Sequence, residues 1–275
     1  MQKHPLSVTA TVPQAPLAMN PSTHSLSFPP DLLAERVILV TGAAEGLGRA
    51  VALACARHGA TLVLVDYEDT DLDGLYDEIE ASDAPQPASF PLDLEKGDEA
   101  LFIGAADTLG NEFGRLDGIA HCAAFAPYLT RIDDYELKDW ERVLRVNLTA
   151  PFLLTQACLP LLRAAPDPSL VFAADRVGRQ GLAYWGAFAA AKCGLEGLME
   201  VLAAENQAEQ PIRVNSLDPG ILNTAMRRIL YPGEHPGNHP PPESVAPSFL
   251  YLLGPESRGV SGQRLTAPCY PAGTA

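Results

Sequence analysis

The sequence predicts a single α/β domain: a doubly wound parallel sheet of about seven strands covered by helices on both faces, a three-layer α/β/α arrangement. Three observations lead there. Short apolar runs alternate along the chain with amphipathic stretches of helical period. The first run, Val37 to Val40, feeds directly into the turn Thr41-Gly42-Ala43-Ala44-Glu45-Gly46-Leu47-Gly48. The next apolar run ends on a carboxylate, Asp66.

A strand, a glycine turn and a helix from Arg49 to His58 form the opening βα unit of a chain that seats a nucleotide pyrophosphate. Gly42 turns the chain, Gly46 lets the backbone approach the phosphates, and Gly48 lets the helix pack closely on the strand. The helix start then offers free N–H groups and a partial positive charge to the anion. Thr41, Gly42, Glu45, Gly46, Leu47 and Gly48 are therefore the first candidate cofactor residues. The competing reading is a strand-to-helix turn that binds nothing.

His58-Gly59 stops the helix, and Thr61 to Val65 is a second strand ending at Asp66. A carboxylate about 20 residues beyond such a turn accepts hydrogen bonds from the adenosine ribose hydroxyls and repels a 2'-phosphate. Neither Ala44 nor Tyr67 supplies a compensating cation, so NAD is expected over NADP. The rival role for Asp66 is a helix N-cap, which Thr70 or Asp71 can fill instead.

Asp71 to Glu80 reads as an acidic helix, Ser89 to Leu92 as the third strand with Asp93-Leu94 as its turn, and Glu99 to Phe113 as a helix. Leu116 to His121 is the fourth strand. The segment from Leu137 to Leu162 is apolar over more of its surface than one sheet can cover, which predicts a homodimer or homotetramer. Within it, Pro151 lacks the N–H that would bond the Asn147 carbonyl, leaving that oxygen for water or ligand. Ser169 to Ala174 is the fifth strand, Tyr184 to Glu205 a helix carrying Lys192, and Ile212 to Leu217 the sixth strand, ending at Asp218-Pro219-Gly220. The Pro-, Gly- and His-rich stretch from Ile221 to Pro242 suits a mobile lid over a small-molecule ligand. Ser244 to Leu253 is the last helix and Gln263 to Thr266 the last strand.

Composition excludes several classes of function. With 34 acidic and 19 basic residues, a net charge of -15 repels nucleic-acid backbones and anionic membranes. Five scattered cysteines without a C-x-x-C pair suit a reducing compartment, so cytoplasm is expected. No metal site is expected: Pro236 and Gly237 between His235 and His239 forbid a helical ligand pair. No apolar run is long enough for a membrane helix. Residues 1–30 are Pro-rich without a secretory apolar core and read as a disordered arm before a domain spanning 31–275, with Met19 as a second candidate start.

With the glycine turn, Asp66, Asp93-Leu94, Asn147, Lys192 and Pro219-Gly220 in this order, the chain resembles the short-chain dehydrogenase/reductase superfamily over about residues 32 to 268. Around Val177-Gly178-Arg179-Gln180-Gly181 it is similar to a bacterial branch of YciK-like oxidoreductases. The resemblance implies a Rossmann-type fold and an NAD(P)-dependent oxidoreductase acting on CH–OH groups. It places Asp93 at the adenine, Asn147 on a proton-relay water, Lys192 on the nicotinamide ribose, and Ile221 and Thr224 at the carboxamide. Tyr67, Leu94, Cys122, Ala123, Pro219 and Gly220 complete the implied cofactor set.

The chain departs from that family where protons move. Its motif is Tyr-x-x-x-Lys with a serine on the preceding strand, and counting from Lys192 puts Phe188 at the tyrosine and Asp175 at the serine. Cys122-Ala123-Ala124 replaces the family's Asn-Ala-Gly. Phenylalanine neither gives nor takes a proton, and an ionised Asp175 repels the oxyanion a serine would stabilise. Two rescues stay open: Tyr184, one helical turn before Phe188, as an alternative donor, or an Asp175 protonated by burial. An Asp175–Lys192 ion pair is favoured over the second. Two functions follow: a dinucleotide-binding protein that has lost ordinary carbonyl reduction, or an oxidoreductase with non-standard proton donors.

Overall fold

The computed structural model describes residues 28–67, 70–207 and 211–270. Seven parallel strands form one sheet in the order β3-β2-β1-β4-β5-β6-β7. In chain order, β1 is Val37–Thr41, α1 Gly46–Arg57, β2 Thr61–Asp66, α2 Leu72–Glu80, β3 Ala88–Pro91, α3 Glu99–Phe113 and β4 Gly118–His121. There follow α4 Leu137–Leu144, α5 Ala150–Arg163, β5 Ser169–Ala173, a single turn α6 Arg176–Arg179, α7 Gly186–Glu205, β6 Arg213–Asp218, α8 Ala225–Leu230, α9 Ala246–Leu253 and β7 Arg264–Thr266.

The central strands are near-continuous apolar runs because both faces are covered. On one face Ile38, Val40, Leu62 and Leu64 pack with Val51 and Cys55 of α1 and Phe249 of α9. On the other, Leu39, Val63, Ile119 and Phe172 pack with Phe102 of α3, Leu154 of α5 and Met199 of α7. A smaller third cluster, with Val143, Val177, Trp185, Phe188 and Leu230, sits beyond the carboxyl ends of the strands. Strand order reverses between β1 and β4, where a crevice must open at the carboxyl edge.

Several expected boundaries move. Helix α1 begins at Gly46 rather than Arg49, because the glycine turn itself supplies its first turn. Strand β4 begins at Gly118; Asp117 ahead of it accepts hydrogen bonds from Val37 N and Arg115 Nε, both 3.0 Å, and so anchors the sheet edge. The Leu137–Leu162 segment is not one α-helix: a π-helical stretch at Arg145–Thr149 separates α4 from α5, just before Pro151. The presumed lid is partly built structure, since it contains α8 and Asn223 N bonds Pro240 O across its neck at 2.9 Å. Phe28, 9 % exposed, packs edge-on against His58 and Tyr270, so the ordered body starts before residue 31; the rest of the predicted arm, and residues 271–275 of the predicted domain, lie outside the described residues.

Among the described glycines, the least room for a side chain is at the first βα turn. A Cβ on Gly48 would lie 2.0 Å from the Gly42 carbonyl oxygen, and one on Gly42 would lie 2.7 Å from Ala123 Cα, with φ at +67° besides. Gly48→Ala is therefore expected to lower stability by about 1–3 kcal/mol, because backbone must shift to admit the methyl. Urea unfolding of the variant checks this; an unchanged midpoint would mean that α1 slides off the strand at no cost.

Candidate cofactor and catalytic cleft

A cleft of about 810 Å³ opens at the carboxyl edge of the sheet. Its floor is the glycine turn, the end of β2 and the residues following β4, β5 and β6; α8 and Leu222 to Thr224 form its roof.

At one end, α1 starts without a side-chain cap, whereas Asp71 caps α2 through Gly74 N and Asp98 caps α3 through Leu101 N. The α1 amides thus face the cleft with no side chain of their own to satisfy them. Asp71 taking the α2 cap settles the rival role for Asp66. Instead Asp66 accepts from Ala44 N at 3.0 Å and Tyr67 N at 2.9 Å, tying the end of β2 to the glycine turn. Burial raises its pKa, while the two amide bonds pull it back. Asp93 accepts from the amides of Glu95 and Lys96 and pairs with Lys96 Nζ at 3.0 Å. Thr41 does not line the cleft: its hydroxyl accepts from Ala123 N at 3.2 Å and so fixes the wall from behind.

At the other end, Lys192 projects from α7 and is 3 % exposed. Its ammonium donates to the Ala173 carbonyl at 2.7 Å and lies 5.4 Å from the centre of the Phe188 ring. The expected ion pair with Asp175 is absent among the described residues. Asp175 instead accepts from Val177 N at 2.9 Å and caps the turn α6, within electrostatic reach of the lysine but not bonded to it. Burial raises the Asp175 pKa, against the charge of Lys192. Burial pushes Lys192 down to about 8, against Asp175.

Phe188, 3 % exposed, lines the cleft beside Trp185, with ring centroids 5.4 Å apart. Tyr184 does not line it. It precedes α7 rather than belonging to it, takes a left-handed φ of +75° and is 56 % exposed, while its carbonyl accepts from Thr130 N. The helical step that would place its phenol near Phe188 does not exist. Asn147 is also outside the cleft wall, at 1 % exposure: its amide group donates to Phe125 O and Val143 O and accepts from Phe125 N, bracing the loop after β4 across the π-helical stretch.

The remaining candidates Glu45, Leu47, Tyr67, Leu94, Cys122, Ala123, Pro219, Gly220, Ile221 and Thr224 line the cleft, the last also capping α8 through Arg227 N. Reading the sequence missed Arg142, Phe125, Trp185 and Arg227. Arg142 is held bidentately by Glu95 at 2.7 and 2.9 Å and stacks on Phe125, 4.6 Å from the ring centre. Arg227 is held by Glu234, which His239 also contacts at 2.9 Å. Only Trp185, three residues before Phe188, had a usable signal. Among the described residues no group of His, Cys, Asp or Glu is arranged to hold a metal ion.

A family model for short chain dehydrogenases matches residues 36–234. This chain belongs to that family. An oxidoreductase of Escherichia coli K12, YciK, is 40 % identical over 237 residues, which cover 86 % of this chain and 93 % of the relative. The dehydrogenase-family structure from Shigella flexneri 2a str. 301, in complex with NADP, superposes with a TM-score of 0.84 at 39 % identity, covering 87 % of this chain and 100 % of that one. One from Escherichia coli CFT073, in complex with NADPH, gives 0.84 at 40 % identity, covering 87 % and 99 %. This dehydrogenase-family chain has no helix, among the described residues, long and apolar enough to cross a membrane.

The buried lysine carries a pH signature. Its folded pKa of about 8 lies below the 10.5 of an unperturbed lysine, so between those values the unfolded chain binds more protons than the folded one. Stability relative to Lys192→Met should therefore rise with pH across that window, by on the order of 2 kcal/mol. Urea unfolding of both proteins at the two ends of the window measures it; a constant difference would mean that the lysine keeps its proton throughout.

Proposed function

We propose that this chain binds NAD(H) and has lost, or strongly impaired, the carbonyl and alcohol hydride transfer ordinary to its family. The observation that carries the proposal is Phe188, which lines the cleft four residues before Lys192 without a hydroxyl, while Asp175 brings a carboxylate to the same wall. A bound dinucleotide supplies hydride transfer at its nicotinamide ring. The uncapped α1 terminus facing the cleft favours a phosphate-bearing group there. In this reading Asp66 takes the adenosine ribose, Asp93 and Leu94 flank the adenine, Lys192 holds the nicotinamide ribose, Asn147 orders a relay water, and Ile221 and Thr224 meet the carboxamide. Free cysteines throughout support a cytoplasmic setting.

A second reading, an active oxidoreductase with Asp175 as proton donor, is favoured by one observation: burial raises the Asp175 pKa. Wild type should turn over neutral ketones negligibly, and Phe188→Tyr with Asp175→Ser should gain activity that neither change gives alone, since removing a general acid typically costs roughly 10²- to 10⁴-fold. Brisk wild-type turnover abolished by Asp175→Asn would establish the second reading instead. Turnover that survives both Asp175→Asn and Tyr184→Phe would refute both.

Asp66 supports NAD over NADP, whereas the relatives in complex with NADP and NADPH point the other way. Calorimetric titration decides: NAD(H) should bind more tightly, and equal or tighter NADP(H) binding removes the ribose role from Asp66. A homodimer or homotetramer is supported by the large apolar side chains Phe152 on α5 and Val201 on α7, 41 % and 53 % exposed. Light scattering should give at least twice the chain mass; a monomer at micromolar concentration rejects the assembly.

A further inference from the structure

The proton-moving end of the cleft has a charge and shape that dinucleotide binding does not use. Strands β5 and β6 pair with Ala173 opposite Leu217, and Ala174 N bonds Leu217 O at 2.8 Å, so the residues that follow, Asp175 and Asp218, emerge side by side at the carboxyl edge. Both line the cleft. Asp218 is only 6 % exposed; its Oδ1 accepts from Gly220 N at 2.9 Å, and its Oδ2 has no partner among the described residues, although it is not sealed from the cleft. Neither carboxylate has an ion pair among the described residues.

The cations on the same wall are mostly committed elsewhere. Glu95 neutralises Arg142, Glu234 neutralises Arg227, and Lys192 is bonded to Ala173 O. Arg176, next to Asp175, also lines the cleft and acts on that carboxylate, but it is exposed to solvent. Two carboxylates thus face one buried ammonium and one solvent-screened guanidinium in a cleft that the rings of Trp185 and Phe188 also line. A carboxylate flanked by aromatic faces is a site for an organic cation.

The missing hydroxyl points the same way. Hydride addition to a neutral C=O leaves an alkoxide that needs a proton and a positive environment; Phe188 cannot provide the first, and Asp175 opposes the second. Hydride addition to an iminium C=N⁺ needs neither.

We propose that this end of the cleft binds an organic cation of the iminium/tertiary-amine class, its charge paired with Asp175 and Asp218 and its substituents packed on Trp185 and Phe188. The redox step rests on the dinucleotide reading above and balances without a proton donor. The iminium carbon accepts a hydride from a reduced nicotinamide dinucleotide, forming a C–H bond, and the C=N π pair becomes the nitrogen lone pair. The positive charge passes to the oxidised dinucleotide. In reverse, a tertiary amine loses hydride from the carbon next to nitrogen.

Two measurements test this separately. Without any dinucleotide, Trp fluorescence follows titration with benzyltrimethylammonium and with N,N-dimethylbenzamide, a neutral molecule of similar size. The ammonium should bind at least about tenfold more tightly, and Asp175→Asn, which retains an oxygen to cap α6, should erase that preference. Equal binding of the two probes, or a preference that survives both Asp175→Asn and Asp218→Asn in variants with wild-type circular dichroism, overturns the cation site. With NADH or NADPH present, N-methylpyrrolinium should be reduced and cyclopentanone should not. Reduction of cyclopentanone as fast as the iminium overturns the assignment of substrate class. A protein that binds the ammonium selectively but no dinucleotide by calorimetry sinks the cofactor reading and the redox step, and leaves the cation site standing.

Discussion

The cleft depends on how closely α1 approaches the end of β1. With no side chain at Gly48, the helix start sits against the Gly42 carbonyl, and a single methyl there would collide with backbone. That closeness brings the uncapped amides of α1 to the crevice, where strand order reverses. The neighbouring parts are then fixed by hydrogen bonds to the same turn: Asp66 through Ala44 N, and the segment after β4 through the Thr41 hydroxyl. The helix terminus is thus framed by a close backbone approach and by two side chains, Asp66 and Thr41, each bonded to a main-chain amide.

The opposite end of the cleft is organised around a buried ammonium. Lys192 is positioned from both sides of α7. Ahead of it, Ala173 O accepts a hydrogen bond from the ammonium; one turn behind, Glu196 is bonded to Ser216 of β6 and to Arg179, which reaches the Leu265 carbonyl of β7. This second anchor fixes the helix without help from Asp175. The aspartate is therefore free to close its own local turn, and it lines the cleft without an ion pair among the described residues.

The same logic accounts for the arginines. Arg142 and Arg227 both line the cleft, yet each is held in a bidentate grip by a glutamate, and Arg227 further stacks on Tyr231 at 3.6 Å from the ring centre. Their charges are offset where they stand, and they act as rigid walls. The segment over the cleft owes its shape to this pairing and to the Thr224 cap of α8, which turn a Pro- and Gly-rich stretch into a built roof.

Much of this was legible along the chain. Apolar runs two-sided enough to be central strands, helical stretches between them, a glycine turn and a carboxylate at the end of the second strand are local patterns, and local patterns determine element type and order. They placed the strands to within a residue or two. Partnerships were not local. Whether Lys192 pairs with Asp175 or with a carbonyl, whether Tyr184 lies on a helix or just before it, and which glutamates neutralise Arg142 and Arg227 depend on backbone turns and on groups tens of residues away in sequence. The sequence by itself determined the sheet and its crevice, because those follow from periodicity and residue chemistry. Only the tertiary structure decided where the charges go, because a buried ion takes whichever partner the packed backbone brings within hydrogen-bonding distance.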